Sequence, residues 1–403
     1  MTSRPSDRLV ALDFVRGVAV LGILLLNIVG FAWPEIVYVS PRAPTGPVSA
    51  ADDWTYLTIF VLADGKFRGL FSLLFGASLL LFVGRAEAAG RDGGRLQARR
   101  LGWLALFGLA HYFLLWWGDI LFLYAVCGFV ALALRAWPPR RLVRWALGIY
   151  AAGVLALGAL TGAGLADRTG ALEREYAAEA RHELVVTQRS WPAMVAESLS
   201  ENLAEPLVTV AISWFETVPL MLLGMALFKS GLFAGGWSDA RLRRWALRGI
   251  ASGLIVTLGI AAVMWREGFP LTLTLFLWLS PAALGRLPMV IGYAALLVLA
   301  ARQFAGSALG ERLVACGRMA FSNYLGTSLL MTFVFHGWGL GLFARYGRLE
   351  LLGFVVLGWI VMLAWSKPWL AQFRYGPLEW AWRSLTYGRV EPLRRVAIAT
   401  DSQ

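Results

Sequence analysis

The chain has 403 residues, of which 58% are hydrophobic and 15% are charged, and its mean hydropathy is +0.63. Soluble proteins are about 25% charged, so this composition excludes a soluble protein and predicts a polytopic membrane protein. The net charge of +12 does not indicate a nucleic-acid partner, because the basic residues form short clusters between apolar runs. We therefore expect contacts with membrane lipids and none with nucleic acid.

Apolar stretches of about 17 to 25 residues predict transmembrane helices. They predict an all-α bundle of about ten transmembrane helices that forms one membrane domain over residues 1–403. The predicted spans cover residues 12–33, 67–84, 101–117, 120–135, 143–165, 206–228, 246–265, 287–303, 318–336 and 350–372. With the N-terminus in the cytoplasm, the inner segments hold 24 Lys and Arg residues and the outer segments hold 9. This asymmetry predicts that both termini are cytoplasmic.

The first span contains an acid and a base. Charged residues are costly inside a membrane, so a function or a fixed partner is the default explanation for them. At 100° per residue, Asp13, Arg16 and Asn27 share one stripe of the helix. The stripe is expected to face protein and not lipid. Two interpretations stay open: Asp13 and Arg16 form an ion pair that anchors the helix at the inner surface, or they line a ligand pocket.

The second span opens with Asp64, Lys66 and Arg68. In one interpretation these charges extend to the outer membrane surface. In the other they face inward and form a polar cluster in the outer half of the bundle.

A histidine and an aspartate flank the short hairpin between the third and fourth spans. His111 lies well inside the third span, and Asp119 opens the next helix. Imidazole titrates near neutral pH, so His111 is a candidate general base, although a hydrogen-bonded core residue is the plainer interpretation. Asp119 could orient the imidazole ring or cap the next helix.

Two regions are not predicted to be ordinary transmembrane helices. Residues 166–204 have mixed charges and predict an extracytoplasmic helical excursion that could cover a site. Residues 267–286 are apolar but contain Pro270, Pro281 and Gly285, which leaves a re-entrant segment, an interfacial segment or a further span open.

The ninth span repeats the pattern of the first. Arg318 lies at its inner end, and Asn323 and Tyr324 lie deeper. An interhelical hydrogen bond is the plainer role for the amide. Residues 374–403 are basic and aromatic, which predicts a cytoplasmic interfacial tail. No metal-ligand spacing or phosphate-binding glycine loop occurs, so no metal is expected.

Five separated motifs occur in order along the chain: Leu12-Asp13-Phe14-Val15-Arg16-Gly17, Lys66-Phe67 with Leu74-Phe75-Gly76-Ala77, His111 with Gly118-Asp119-Ile120-Leu121, Gly317-Arg318-Met319-Ala320, and Gly376-Pro377-Leu378-Glu379-Trp380. They resemble the YeiB-like family of bacterial inner-membrane proteins, which implies the cytoplasmic (inner) membrane as the location. A more distant similarity is to transmembrane acyltransferases of the heparan-α-glucosaminide N-acetyltransferase and acyltransferase-3 type. Those proteins also open with Leu-Asp-x-x-Arg-Gly, and they use cytoplasmic acyl-CoA as donor.

The resemblance implies a transmembrane acyltransferase with acyl-CoA as co-substrate and an acceptor on the outer side. Arg16, Arg318 and Arg100 are the candidates for binding the CoA phosphates, with Asp13 holding Arg16.

The remaining candidate residues are predicted to bind or activate the acceptor. His111 is inferred to deprotonate it, with Asp119 orienting the ring, while Lys66 or Arg68 binds an anionic acceptor or the thioester oxyanion. Asp64, Asn27, Asn323 and Tyr324 complete the predicted substrate-binding set. The alternative is a small-molecule or proton-coupled transporter that uses the same buried groups. A homo-oligomer is left open.

Overall fold

A computed structural model describes residues 5–42, 49–167 and 169–395. In these residues every regular element is a helix, apart from one isolated bridge between Phe373 and Arg394. The first helices are α1 (Pro5–Ala32), α2 (Glu35–Val39), α3 (Ala50–Leu62), α4 (Lys66–Ala88), α5 (Gly93–Leu114), α6 (Leu121–Ala133), α7 (Pro139–Gly164), α8 (Ala171–Val186) and α9 (Trp191–Glu201). They are followed by α10 (Glu205–Lys229), α11 (Asp239–Arg266), α12 (Leu271–Leu279), α13 (Pro281–Phe304), α14 (Ala308–Arg318), α15 (Ala320–Phe335), α16 (Arg348–Gln372) and α17 (Pro377–Tyr387).

The all-helical fold class is confirmed, and each predicted span overlaps a helix. In the described part of the chain, seven helical runs are long and apolar enough to cross a membrane. These runs are Val10–Ala32, Ala50–Ala88, Pro139–Gly164, Glu205–Lys229, Asp239–Arg266, Pro281–Phe304 and Arg348–Gln372. Two shorter apolar helices, Leu121–Ala133 and Ala320–Phe335, coincide with the fourth and ninth predicted spans.

The second predicted span, 67–84, lies within α4 (Lys66–Ala88), and a further apolar helix precedes it. Helix α3, which the sequence did not indicate, precedes α4 in one apolar run over Ala50–Ala88. The two helices are separated by a turn at residues 63–65, where Gly65 adopts a left-handed φ of 69°. Asp64 therefore lies in the turn between two apolar helices, and Lys66 and Arg68 lie in the first turn of α4.

The other ambiguous regions are helical as well. Residues 267–286 contain the short helix α12 and the first turns of α13, with the break at Ser280 just before Pro281. The excursion predicted over 166–204 contains α8 and α9, and Trp191 Nε1 at the start of α9 donates to the Leu114 carbonyl at 2.7 Å. The last residues of the predicted tail, 396–403, lie outside the described residues.

Glycines allow helices to approach each other closely at two crossings. A Cβ atom on Gly17 would lie 2.0 Å from the Leu313 carbonyl oxygen, and one on Gly317 would lie 1.8 Å from that of Asp13, so α1 and α14 touch backbone to backbone. Helices α4 and α10 do the same through Gly76 and Gly224. Small residues of this kind support helix packing in membranes, where water supplies no hydrophobic drive between helices.

Helix α1 runs along the bundle, so its two ends are used to describe position within it. We call the end that holds Val10 the near end and the end that holds Ala32 the far end. Helices α14 and α17 lie at the near end. Helices α2, α8 and α9 lie at the far end, where Glu183 accepts a hydrogen bond from the Glu35 backbone N–H at 2.9 Å.

Candidate functional site

A cavity of about 220 Å³ opens among α1, α4, α5, α6, α14, α15 and α17 at the near end. Its walls include all three arginines that the sequence assigned to the donor, Arg16, Arg100 and Arg318. They come from three helices that are far apart in the chain. We refer to this space as the near-end cavity.

Asp13 and Arg16 of the first span form an ion pair, which positions Arg16 in the cavity wall. Arg16 Nη1 donates to Asp13 Oδ1 at 2.7 Å, and Arg16 Nη2 donates to Ser78 Oγ at 2.8 Å. The Arg16 side chain is 24% exposed, so its guanidinium is accessible from the cavity. Asp13 therefore holds Arg16 while Arg16 lines the cavity.

The other two arginines have no carboxylate partner among the described residues. The Arg100 guanidinium lies over the Trp382 ring at 4.0 Å and over the Phe82 ring at 4.8 Å. Arg318 Nη2 donates to the Arg374 carbonyl at 3.3 Å. Nearby, Gln97 Oε1 is buried without a hydrogen-bond partner. The guanidinium groups of Arg100 and Arg318 are therefore held by aromatic rings and a backbone carbonyl, without an ion pair.

A cavity carboxylate, Glu379, was missed by the sequence analysis. It lies on α17 and accepts hydrogen bonds from the Phe321 N–H at 2.8 Å, the Ser322 N–H at 3.1 Å and the Ser322 hydroxyl at 2.5 Å. Burial raises the pKa of Glu379 above its ordinary value. Its motif was noticed, but the aromatic and basic composition suggested a surface tail, whereas Glu379 and Trp382 form part of the cavity wall.

His111 and Asp119 form the predicted pair. His111 Nδ1 lies 2.9 Å from Asp119 Oδ1, and their side chains are 0% and 2% exposed. The second oxygen, Asp119 Oδ2, accepts the Phe122 backbone N–H at 2.8 Å. Asp119 thus orients the imidazole and caps α6 at once. His111 Nε2 is buried without a hydrogen-bond partner.

Tyr324 separates the imidazole from the near-end cavity. Its ring lines the cavity, and its centroid lies 5.3 Å from that of His111. Its hydroxyl donates to the Gly118 carbonyl at 3.2 Å, in the hairpin before Asp119. The cavity therefore reaches Tyr324 but has no wall formed by His111.

The two asparagines lie apart from both features. Asn323 donates to the Cys316 carbonyl and to Ser366 Oγ, both at 3.1 Å, and accepts from Trp365 Nε1 at 2.7 Å. These bonds join α14, α15 and α16, which is the plainer role foreseen for this amide. Asn27 is half-buried and lines neither the near-end cavity nor the two smaller cavities nearer the far end.

The charges at the start of α4 belong to a separate group, the paired-charge cluster, which consists of Asp64, Lys66, Arg68, Glu216, Arg286 and Arg348. Arg286 Nη2 donates to Asp64 Oδ2 at 2.9 Å, and Arg68 Nη2 donates to Glu216 Oε2 at 2.6 Å. The cluster lies towards the far end of the bundle, because Arg348 donates to the carbonyl of Val37 in α2.

Two further cations of this cluster are held by backbone carbonyls. Lys66 is fully buried, and its Nζ donates to the Phe60 carbonyl at 2.5 Å. Arg348 donates to the Val37 carbonyl. None of the described hydrogen bonds or ion pairs connects the cluster to His111.

Sequence reasoning missed three members of this cluster. Arg286 was counted in an outer loop, but α13 begins at Pro281 and includes it. Glu216 lies within the sixth predicted span, where an acidic residue is itself a signal of a fixed partner. Arg348 was also counted in an outer segment, although it is buried at the start of α16.

The fold and the site define a polytopic helical membrane protein with a buried histidine–aspartate pair next to an arginine-lined cavity. A family described as "Protein of unknown function (DUF418)" matches residues 227–389. The "Uncharacterized protein YeiB" of Escherichia coli (strain K12) is 33% identical over 393 residues, which cover 96% of this chain and 98% of that protein. The "Uncharacterized protein YxaH" of Bacillus subtilis (strain 168) is 29% identical over 409 residues, which cover 97% of each chain.

The chain belongs to the YeiB-like family, as its motifs indicated. No solved structure matches it.

Proposed function

We propose that this protein is a membrane-embedded acyltransferase that moves an acyl group from cytoplasmic acyl-CoA to an acceptor on the opposite side of the bacterial inner membrane. One observation carries the proposal: His111 Nε2 is buried and unpartnered while Asp119 holds Nδ1. A neutral imidazole held in this way keeps a lone pair on Nε2, as a general base requires. Tyr324 lines the near-end cavity, and its ring centroid lies 5.3 Å from that of His111.

The near-end cavity is the proposed donor site. Arg100 and Arg318 have no carboxylate partner among the described residues, so they are free to pair with phosphate. Sites for drug-sized ligands occupy about 300–1,000 Å³, whereas this cavity measures about 220 Å³. We infer that it receives only the acyl end and part of the pantetheine arm, while the nucleotide stays at the basic surface.

The proposed reaction needs one base and no metal. An acceptor hydroxyl or amine passes its proton to His111 Nε2 while its oxygen or nitrogen attacks the thioester carbonyl carbon. The carbon–sulfur bond breaks, and the leaving CoA thiolate takes the proton back from His111. The products are the acylated acceptor and free CoA. Asp119 stabilises the imidazolium between the two steps.

The proposed direction of transfer follows from the topology of about ten spans with both termini in the cytoplasm. The excess of Lys and Arg in the inner segments supports it. The near-end cavity then faces the compartment that contains acyl-CoA, and the His111 end faces the acceptor.

Release of CoA thiol by purified protein in detergent tests the proposal. Acetyl-CoA and longer acyl-CoAs are supplied, and free thiol is followed with and without added acceptors. We expect His111→Gln to abolish release. The matched control is His336→Gln, because His336 is also buried but has no carboxylate partner among the described residues. The proposal fails if wild-type protein neither binds nor cleaves any acyl-CoA.

A transporter is the second candidate. The observation in its favour is that two salt bridges, Asp64–Arg286 and Arg68–Glu216, lie among the apolar helices. Buried pairs of this type can relay protons or bind substrate. Substrate-dependent counterflow in proteoliposomes, in the absence of CoA release, would favour this function over the acyltransferase.

A further inference from the structure

The lining of the near-end cavity can be ordered by depth. Arg16 donates to Ser78 Oγ, and the Phe67 ring lies against Gly22, so α4 runs in the opposite direction to α1. Earlier residues of α4 therefore lie closer to the far end. Phe71 precedes Ser78 by about two helical turns, which places it about 10 Å deeper in the cavity.

The charged side chains of the lining lie in the outer part of the cavity, towards the near end. They are Arg16, Arg100, Arg318 and Glu379. Arg318, the last residue of α14, is the one exposed residue in the described lining, and all the others are buried or half-buried. The cavity therefore opens at the near end beside Arg318 and is enclosed further in.

The inner end of the cavity is apolar. It is formed by Phe71, Phe75, Ile120, Leu121, Tyr124 and Tyr324. The Tyr124 ring stacks on Phe71 with centroids 5.7 Å apart, and its hydroxyl donates to the Arg68 carbonyl at 3.0 Å. The Tyr324 hydroxyl donates to the Gly118 carbonyl. Both hydroxyls are engaged within the protein, so the inner end offers rings and aliphatic groups to a ligand.

A charged opening and an apolar inner end suit a ligand with an anionic outer part and an apolar tip, and the volume limits the size of that tip. The cavity measures about 220 Å³. An apolar cavity of about 150 Å³ holds one benzene molecule, so this one holds about nine non-hydrogen atoms. The carbon, oxygen and sulfur of a thioester take about a third of them, which leaves space for about six carbons.

We propose that the near-end cavity admits only short-chain acyl donors, with an acyl chain of about six carbons at most, and that Phe71 sets this limit. Phe71 is the deepest α4 residue of the lining, and its ring covers that of Tyr124. Removal of the Phe71 ring opens space beside Tyr124 that is continuous with the cavity. This inference rests on the proposed acyl-CoA donor and adds the class of acyl group that is transferred.

The chain-length limit is tested by calorimetry on the purified full-length protein in detergent, with acetyl-, butanoyl-, hexanoyl-, octanoyl- and palmitoyl-CoA. We expect binding to tighten about fourfold per buried methylene while the chain fits, and palmitoyl-CoA to bind at least tenfold more weakly than hexanoyl-CoA. Affinity that keeps rising from hexanoyl- to palmitoyl-CoA overturns the limit and leaves the proposed function standing. If none of the acyl-CoAs binds, the proposed function fails and this inference fails with it.

A truncated variant tests the role of Phe71. We expect Phe71→Ala to bind octanoyl-CoA at least tenfold more tightly than wild type, with little change for acetyl-CoA. The control is Phe67→Ala, which makes the same change on the same helix at a residue that does not line the cavity. Partition of long-chain donors into micelles is common to all three proteins and cancels in the comparison.

The assignment of Phe71 is overturned if Phe71→Ala binds acetyl-CoA but keeps the wild-type dependence on chain length, or if Phe67→Ala shifts the dependence equally. The series with wild-type protein decides the chain-length limit even if a variant does not fold.

Discussion

Arginines occur in two regions of this membrane protein, and the partners of their guanidinium groups differ between the two. In the near-end cavity, Arg100 and Arg318 contact aromatic rings and a backbone carbonyl but no carboxylate in the described residues. In the paired-charge cluster, Arg68 and Arg286 each bind a carboxylate.

The difference indicates that an arginine in or next to an apolar helix can have either of two roles. A buried pair that joins distant helices has a structural role, because removal of one partner leaves the other charged and buried. An arginine with no acid beside it, on the wall of a larger cavity, has charge available for a ligand. Variants in the two regions should therefore fail in different ways: in the cluster by unfolding, and in the cavity by weaker binding.

The largest effect is expected in the cluster. Arg286→Met leaves Asp64 charged and buried between α3 and α4, and we expect a loss of about 3–5 kcal/mol in the free energy of unfolding. Unfolding in mixed micelles by titration with a denaturing detergent measures it. The double variant Arg286→Met with Asp64→Leu removes both charges and should recover most of the loss. If the single variant is as stable as the double variant, this pair does not have the structural role given to it.

A smaller loss of stability is expected where α1 meets α14, next to the near-end cavity. Gly317→Ala adds a methyl group 1.8 Å from the Asp13 carbonyl oxygen, so the helices must separate. We expect a loss of about 1–3 kcal/mol, together with weaker acyl-CoA binding because Asp13 holds Arg16. The same unfolding titration measures the change. Gly326→Ala is the control, because its methyl group meets no atom within 4 Å.

Within the cavity, we expect weaker binding with only a small loss of stability, from the cation–π contacts of Arg100 with Trp382 and Phe82. Arg100→Gln removes a cation that has no carboxylate partner in the described chain, so the folded state loses no ion pair. We expect about a tenfold higher Kd for acyl-CoA, equivalent to about 1.4 kcal/mol, measured by calorimetry. The neighbouring Arg99→Gln is the control, since Arg99 is exposed and does not line the cavity. An equal effect in both variants would indicate a general surface potential and no specific site.

Short-range patterns in the sequence predicted one part of this comparison well. Asp13 and Arg16 are three residues apart on one helix, and a hairpin of a few residues joins the helices of His111 and Asp119. In both cases local geometry alone brings the groups together. The helices themselves were predicted for the same reason, since apolar length is a property of each segment.

The paired-charge cluster could not be predicted in this way. Asp64 and Arg286 are 222 positions apart, and Arg68 and Glu216 are 148 apart, so their pairing depends on which helices become neighbours. Composition did not predict the position of Glu379 either, because aromatic and basic residues are typical of a membrane surface and of a cavity wall alike. A pattern along one segment does not reveal its partner across the bundle.

The smallest effect concerns a third kind of charge, on α8 outside the apolar helical runs. Burial and the nearby carboxylates of Glu35 and Glu179 raise the pKa of Glu183 to about 8. The folded state therefore favours the protonated acid, so its contribution to docking of α8 is complete below about pH 4.5 and is lost as the pH rises through about 8.

Amide hydrogen exchange over residues 171–186, corrected for the intrinsic rate, should show protection falling across this interval. Glu183→Gln should flatten the profile, whereas Glu173→Gln, at an exposed position of the same helix, should leave it unchanged. A profile that keeps its slope in Glu183→Gln would assign the pH dependence to another group. The expected outcome would extend the comparison, because a carboxylate without a cation then weakens its contact on ionising, whereas Asp64 and Glu216 hold helices together through their charge.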